Sequence, residues 1–294
     1  MSAVWATEEG AISVGDGSMV LVSSPAGRFV YPLSTEVTGH PEVDLNSVFA
    51  AGLGTLYLGG NLADDTEAGV VVRVDDRRAK LDGLLGVKCR ALHGTSAGRV
   101  DAAAGRDVWV RTDDPGAAES TRWHPAGPTP STSLALVVED VWASPTDVVY
   151  AAGSDGLYYV VDPTPGEENE FTRLPTGIGA YRVVRGISPT HVAGTSHDST
   201  TWWNGVVADR VTVNSGSLIA MSWPSADFAI QVGVLIGQPE SPSVVYDDPL
   251  DDHEGREVPI PTDGGFLTSV SAWTVGEDKF AVAVGSSGQE FRYS

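Results

Sequence analysis

Between residues 4 and 23 the chain alternates apolar and polar positions in three short runs, "VWA", "AISVG" and "MVLVS", separated by turns rich in Gly, Asp and Ser. The same order returns between 141 and 161 as "VWA", "VVYAAG" and "LYYVV". Alternation with a period of two places successive side chains on opposite faces of an extended backbone, so each run predicts a β-strand. No stretch carries an apolar stripe at 3.6-residue spacing between helix caps, and Gly and Pro interrupt the chain too often to leave room for helices. The pattern predicts an all-β protein.

The unit recurs. A Gly closes an alternating strand at Gly15, Gly59, Gly105, Gly153, Gly194, Gly233 and Gly285, and these six intervals average about 45 residues, the length of a blade of four short strands. Each of these strands follows an opening strand, among them "AVWA", "SVFA", "RALH", "DVWA" and "VSAW". Each precedes a third strand such as "VVVRV", "DVWVR", "TTWWN" or "QEFRY", and most units show a fourth, such as "RFVYPL" or "DRVTV". Trp5, Phe49, Trp142 and Trp273 hold equivalent opening positions and read as packing residues between blades. Through these features the chain resembles the seven-bladed β-propeller superfamily over its whole length. It lacks the Gly-His and Trp-Asp signatures of WD40 repeats, the sialidase Asp-box and the kelch double glycine.

The resemblance implies one propeller domain over 1–294, with antiparallel four-stranded blades at about 3–46, 47–89, 90–135, 136–180, 181–214, 215–262 and 263–294. The last unit shows only three strands, so its edge at Glu290, Phe291, Arg292 and Tyr293 is expected to lie open or to be covered by a neighbouring subunit.

Charge narrows the partners. The 294 residues hold 39 Asp plus Glu against 18 Lys plus Arg, a formal −21, which disfavours nucleic acid. Lys80, Lys88 and Lys279 are the only lysines, and acids recur in pairs, a composition resembling that of haloarchaeal proteins and their viruses. At about 1 M salt the screening length falls to roughly 3 Å, and such self-repulsion is mild. Cys89 is the single cysteine, which excludes an internal disulfide and reads as a small core residue. The N-terminal "MSAVWATEEG" has no basic stretch ahead of an apolar run, and no segment reaches the roughly 18 apolar residues of a membrane-spanning helix. Neither an export leader nor membrane insertion is expected.

Catalytic signals are weak. "GTSAG" at 94–98 matches a nucleophile elbow on paper, but a strand rather than a helix follows it, so Ser96 reads as a turn residue. The six histidines form no ligand pair for zinc. Asp247, Asp248, Asp251, Asp252 and Glu254 offer oxygens to a hard cation such as calcium but lack the spacing that aims them at one point, and no cofactor is expected. For binding, Trp202 and Trp203 beside His197, Asp198 and Asn204 form a candidate stacking platform for a glycan. In a propeller the loop after the second strand and the loop between blades share one rim. The insertions at 61–68, with Asp64, Asp65 and Glu67, and at 195–201 and 234–242 are therefore expected beside the inter-blade segments 34–46 and 126–133.

These features favour a non-enzymatic recognition or assembly propeller with protein partners. Its leading setting is a halophilic virion, as a capsid decoration or a receptor-binding spike contacting a host glycan or glycoprotein. The alternatives are a cytoplasmic interaction scaffold in a halophilic cell, and a propeller hydrolase or lyase with its site on the axis.

Overall fold

The computed structural model describes residues 2–33, 42–51, 54–64, 68–75, 78–95, 99–112, 122–128, 137–167, 169–177, 179–212, 216–235, 243–247, 256–260, 266–286 and 288–294. Among them every regular element is a strand. The first sheet holds β1 (Ala3–Thr7), β2 (Gly10–Gly15), β3 (Met19–Ser24) and β4 (Gly27–Pro32). The second holds β5 (Val43–Ala50), β6 (Thr55–Leu62), β7 (Gly69–Asp75) and β8 (Arg78–Leu84), and the third β9 (Cys89–Gly94), β10 (Val100–Ala104), β11 (Asp107–Arg111) and β12 (Trp123–Pro128). The fourth comprises β13 (Val138–Ala143), β14 (Val148–Gly153), β15 (Gly156–Val161) and β16 (Thr172–Arg173). The fifth comprises β17 (Val183–Ser188), β18 (His191–Thr195), β19 (Ser199–Trp203) and β20 (Ala208–Thr212). The sixth is β21 (Gly216–Ser225), β22 (Phe228–Leu235), β23 (Ser243–Asp247) and β24 (Arg256–Ile260), followed by β25 (Leu267–Val275), β26 (Asp278–Gly285) and β27 (Glu290–Tyr293).

Each sheet is antiparallel with its strands in chain order. Of the seven blades expected, the last of them one strand short, six are complete with four strands among the described residues, and the sheet β25–β26–β27 has three. The first strands contact one another in a closed ring, β1 with β5 and so on round to β25 with β1, which puts them innermost around an axis. Two blade limits shift: 46/47 falls inside β5 and 89/90 inside β9, because the opening strands start before their apolar signature does.

The core lies between the sheets. Tyr57, Leu92 and Cys89 fill the second–third junction, Tyr158 and Phe171 the third–fourth, and Trp202, Met221 and Trp223 the fifth–sixth. The seventh–first junction is filled by the small set Val4, Ala6, Ala11, Val282 and Val284. Opening-strand aromatics chain neighbouring sheets together as expected: Trp5 meets Phe49 edge-on at 5.3 Å, Phe49 meets His93 at 5.3 Å, and His93 meets Trp142 at 6.2 Å.

Two glycines, Gly233 and the Gly60 that follows Gly59, show a steric reason for glycine near these strand ends. A Cβ at Gly60 would fall 3.0 Å from Leu45 Cα and closer still to the Asp44 carbonyl oxygen, and one at Gly233 would likewise strike the Ser217 carbonyl. The inner strand presses against the end of its neighbour, and only hydrogen fits between them.

The second–third junction also holds a buried polar cluster. Asp82, fully buried on β8, accepts from Arg111 Nε at 2.7 Å, from Arg122 Nη1 at 3.3 Å and from Trp123 Nε1 at 3.2 Å, tying the second sheet to the third. The Arg111 side chain is only 3% exposed. Removing the carboxylate strands a buried guanidinium, so Asp82→Ala should lower unfolding free energy by about 3–5 kcal/mol. Urea melts read this directly, and a loss below about 1 kcal/mol would show that the cluster does not hold the junction.

Candidate functional site at the axial cavity

The glycine-closed strand ends also shape the axis. Opposite them the pairing register slips by one residue in five sheets, leaving Asn46, Arg90, Glu139, Ile219 and Thr268 as the extra residues of β-bulges. A bulge re-aims the side chain it carries. All five line one axial cavity of about 330 Å³, together with Ser2 and Arg182, which immediately precede the inner strands of the first and fifth sheets. One residue from each of seven sheets thus contributes to a ring at the end of the channel where the inner strands begin.

The charges in this wall are unlike those of the chain as a whole. Arg90, Arg182 and Arg185 face it with Glu139 and Asp140, three cations against two carboxylates in a chain of formal charge −21. Arg90 Nη1 lies 3.1 Å from Glu139 Oε2, and Arg185 is paired with Asp140. Asp140 also accepts from the Val184 N–H at 3.0 Å. Burial raises the Asp140 pKa, with Arg185 and that N–H acting against the rise. Arg182 is exposed and has no ion pair among the described residues. His93 accepts from the Ala143 N–H through Nδ1 at 3.2 Å, and burial, reinforced by Arg185, pushes its pKa down to about 3. It stands as a neutral ring carrying its proton on Nε2.

Several sequence candidates are placed differently from expectation. Trp202 and Trp203 do point to opposite faces, but Trp202 is 5% exposed and meets Trp223 edge-on at 4.8 Å, while Trp203 packs toward the fourth sheet. The ring needed for glycan stacking is consumed by the blade junctions. His197 and Asp198 sit exposed in the β18–β19 turn, whereas Asn204 sits beyond the other end of β19, where its Oδ1 accepts from the N–H groups of Val206 and Val207. Neighbours in sequence are thereby parted to opposite rims.

The rim assignment itself holds where it is described. Leu218 N donates to His197 O at 3.1 Å and Ala63 N to Glu42 O at 3.2 Å, joining the β18–β19 turn to the start of the neighbouring inner strand β21 and the β6–β7 turn to the lead-in of its own inner strand β5. Asp64 is exposed in the β6–β7 turn. Asp65, Glu67, Ser96, Asp248, Asp251, Asp252, Glu254 and 236–242 lie outside the described residues. Asp247 pairs in register with Arg256 on β24. Cys89 is buried, which pushes its thiol up to about 12.

The axial ring was missed in the sequence. Its signal was a polar residue three places before the opening aromatic or His, as in "NSVF", "RALH" and "EDVW". It breaks the alternation because a bulge has no place in a period of two.

No family model and no curated protein matches the chain. Solved structures do. A chain of the mitotic checkpoint complex superposes with a TM-score of 0.70 at 10% identity, covering 99% of this chain and 86% of that one. YCF48 bound to D1 peptide gives 0.67 at 12% identity, covering 99% and 92%. Raptor from Chaetomium thermophilum gives 0.65 at 13%, and there the chain spans 28% of the longer protein's length. The chain folds as a β-propeller. At such identities the likeness concerns the fold, and a propeller fold serves many functions.

The third–fourth junction yields a pH test. Asp101 is fully buried opposite His93 in the β9–β10 register, and Arg99 Nε stands 3.5 Å away. Burial pushes its pKa up to about 7, against the pull of Arg99. Below the usual carboxylate range folded and unfolded chains both hold the proton. As pH rises toward about 7 the unfolded chain releases it first, so this site loses stability across that window. Asp101→Asn should remove that loss and raise the Tm at pH 8 by at least about 2 °C relative to wild type. Parallel melting curves at pH 4 and pH 8 decide it, and an equal shift at both values would contradict the assignment.

Proposed function

We propose that the chain is a non-enzymatic recognition propeller whose partner is a protein, docked as an extended segment along the outer edge of β27. One observation carries the reading: six sheets end on a fourth strand, and β27 pairs only with β26 among the described residues. The Gly285 N to Gln289 O bond of 3.0 Å sets the phase of this ladder. By the alternation of antiparallel pairs, Phe291 and Tyr293 exchange bonds with β26, and the N–H and C=O groups of Glu290 and Arg292 face outward. Phe291 and Tyr293 lean on the sixth sheet, where Tyr293 stacks on Phe228 at 6.0 Å. Glu290 and Arg292 reach the first sheet, through Arg28 at 3.3 Å and Ser23 Oγ at 2.8 Å. Val30, 55% exposed, shares a sheet face with Arg28, so it flanks the outer edge of β27. An unpaired edge with an apolar flank is a template for strand addition.

Two structural neighbours were solved with partners, one in the mitotic checkpoint complex and one bound to D1 peptide, which accords with this reading. It coincides with the interaction scaffold among the sequence-based alternatives. The virion setting and the glycan ligand gain no support from the fold.

A synthetic peptide copying β20 and its flanks serves as a surrogate fourth strand. It should protect the Glu290 and Arg292 amides from hydrogen exchange. Arg292→Pro, which deletes an outward N–H and spares the β26 ladder, should weaken binding about tenfold, with Arg292→Ala well below that. Absence of protection, or indifference to the proline, would discard the docking edge.

The acid excess belongs to the same proposal as a salt adaptation. With a formal −21 the melting midpoint should climb as KCl is raised from about 0.1 to 3 M, since screening shortens the range of self-repulsion. A flat or falling midpoint in thermal scans would remove the adaptation.

A further inference from the structure

We infer that the mouth of the axial cavity is a binding site for a single carboxylate carried on a small, largely apolar molecule, with Arg182 as its charged contact. The site is independent of the β27 edge, and neither requires the other. Its volume of about 330 Å³ falls at the lower end of the range for small-molecule sites and is too small for a folded partner.

The charge arrangement selects the ligand. Arg90 and Arg185 are committed to Glu139 and Asp140, whereas Arg182 has no such acid among the described residues, despite 39 acids in the chain. A guanidinium presents a planar fork that matches a carboxylate with two parallel hydrogen bonds. A cation would meet carboxylates that are already neutralised by their own arginines. A dianion such as phosphate would need a second free cation beside Arg182, whereas Arg90 and Arg185 are already committed to acids. His93 adds no charge at neutral pH. A monoanion fits the balance best.

The rest of the wall is suited to an apolar body. Val4, Ala91, Ile219, Ala220 and Ala272 line the cavity, while the Ser47, Ser222, Ser269 and Ser271 hydroxyls already accept backbone N–H groups of adjoining inner strands. Ser2, Asn46 and Thr268 add uncharged polar side chains to the wall, and the charged contact is left to the arginine.

Benzoate and its neutral counterpart benzamide are the probes, titrated at about 50 mM salt and followed by tryptophan fluorescence and by amide NMR shifts around β1, β17 and β21. Benzoate should bind at least about tenfold more tightly than benzamide. Arg182→Gln should erase that difference while leaving the melting temperature unchanged, because the side chain supports no ion pair among the described residues. Arg210→Gln, which alters an exposed arginine paired with Asp198 by the β18–β19 turn, should leave the benzoate affinity intact. Equal binding of the two probes, no binding of either, or an unchanged benzoate affinity in Arg182→Gln would each overturn the assignment. Equal losses in the two arginine variants would reduce it to general surface charge.

Discussion

Every sheet of this ring has an inner edge that no strand covers among the described residues. The innermost strand pairs outward with the second strand of its own sheet, and its axis-side N–H groups would be buried without partners if side chains did not reach them. At five of the seven junctions between described inner strands, a side chain of one sheet accepts such an N–H from the next. Ser47 serves Leu92, His93 serves Ala143, Asp140 serves Val184, Ser222 serves Ala272, and Ser269 with Ser271 serves Val4 and Ala6. Each bond is modest alone, but leaving a buried donor unmade is costly, and the requirement explains why polar residues persist at the centre of an apolar ring. It also explains why His93 must stay neutral, since a protonated Nδ1 could not accept.

The repeat was legible because it is written in steric terms. Glycine recurs toward the end of the second strand, where the inner strand presses on it at Gly60 and Gly233, and an aromatic opens the unit where neighbouring sheets meet. These demands act on residue type locally and leave a period in the sequence. The axial ring leaves no such trace. Asn46, Arg90, Glu139, Ile219 and Thr268 share a position, not a chemistry, and reach the axis through a register slip that alternation does not encode. The candidate platform around Trp202 failed for a related reason. Adjacency in the chain suggested one surface, but a strand carries Asn204 to the rim opposite His197 and turns Trp202 into a junction.

Charge is distributed with the same economy. Arginines that are buried or half-buried serve as ties between sheets: Arg111 and Arg122 at Asp82, Arg90 at Glu139, and Arg185 at Asp140. Few basic residues remain for the outside, so the surface field is set by acids while the axis stays weakly positive. A strongly anionic surface keeps molecules apart and lets only short-range complementarity, at an edge or in a cavity, select what binds.

Among the described residues the sheets are assembled from consecutive strands, with none borrowed from a distant part of the chain. Each ladder can form from a stretch of roughly 45 residues before its neighbours exist, so the long sequence separations are confined to the final closure, β1 against β25. That closure rests on two serine hydroxyls, a small apolar cluster and the contacts of Glu290 with Arg28 and of Arg292 with Ser23, rather than on a shared sheet. A ring built in this way behaves as a linear array bent until its ends touch. Duplication or loss of a whole unit would leave every remaining ladder intact, and only the curvature of the ring would have to be renegotiated. In such a lineage the number of sectors is a more changeable character than the design of any one of them.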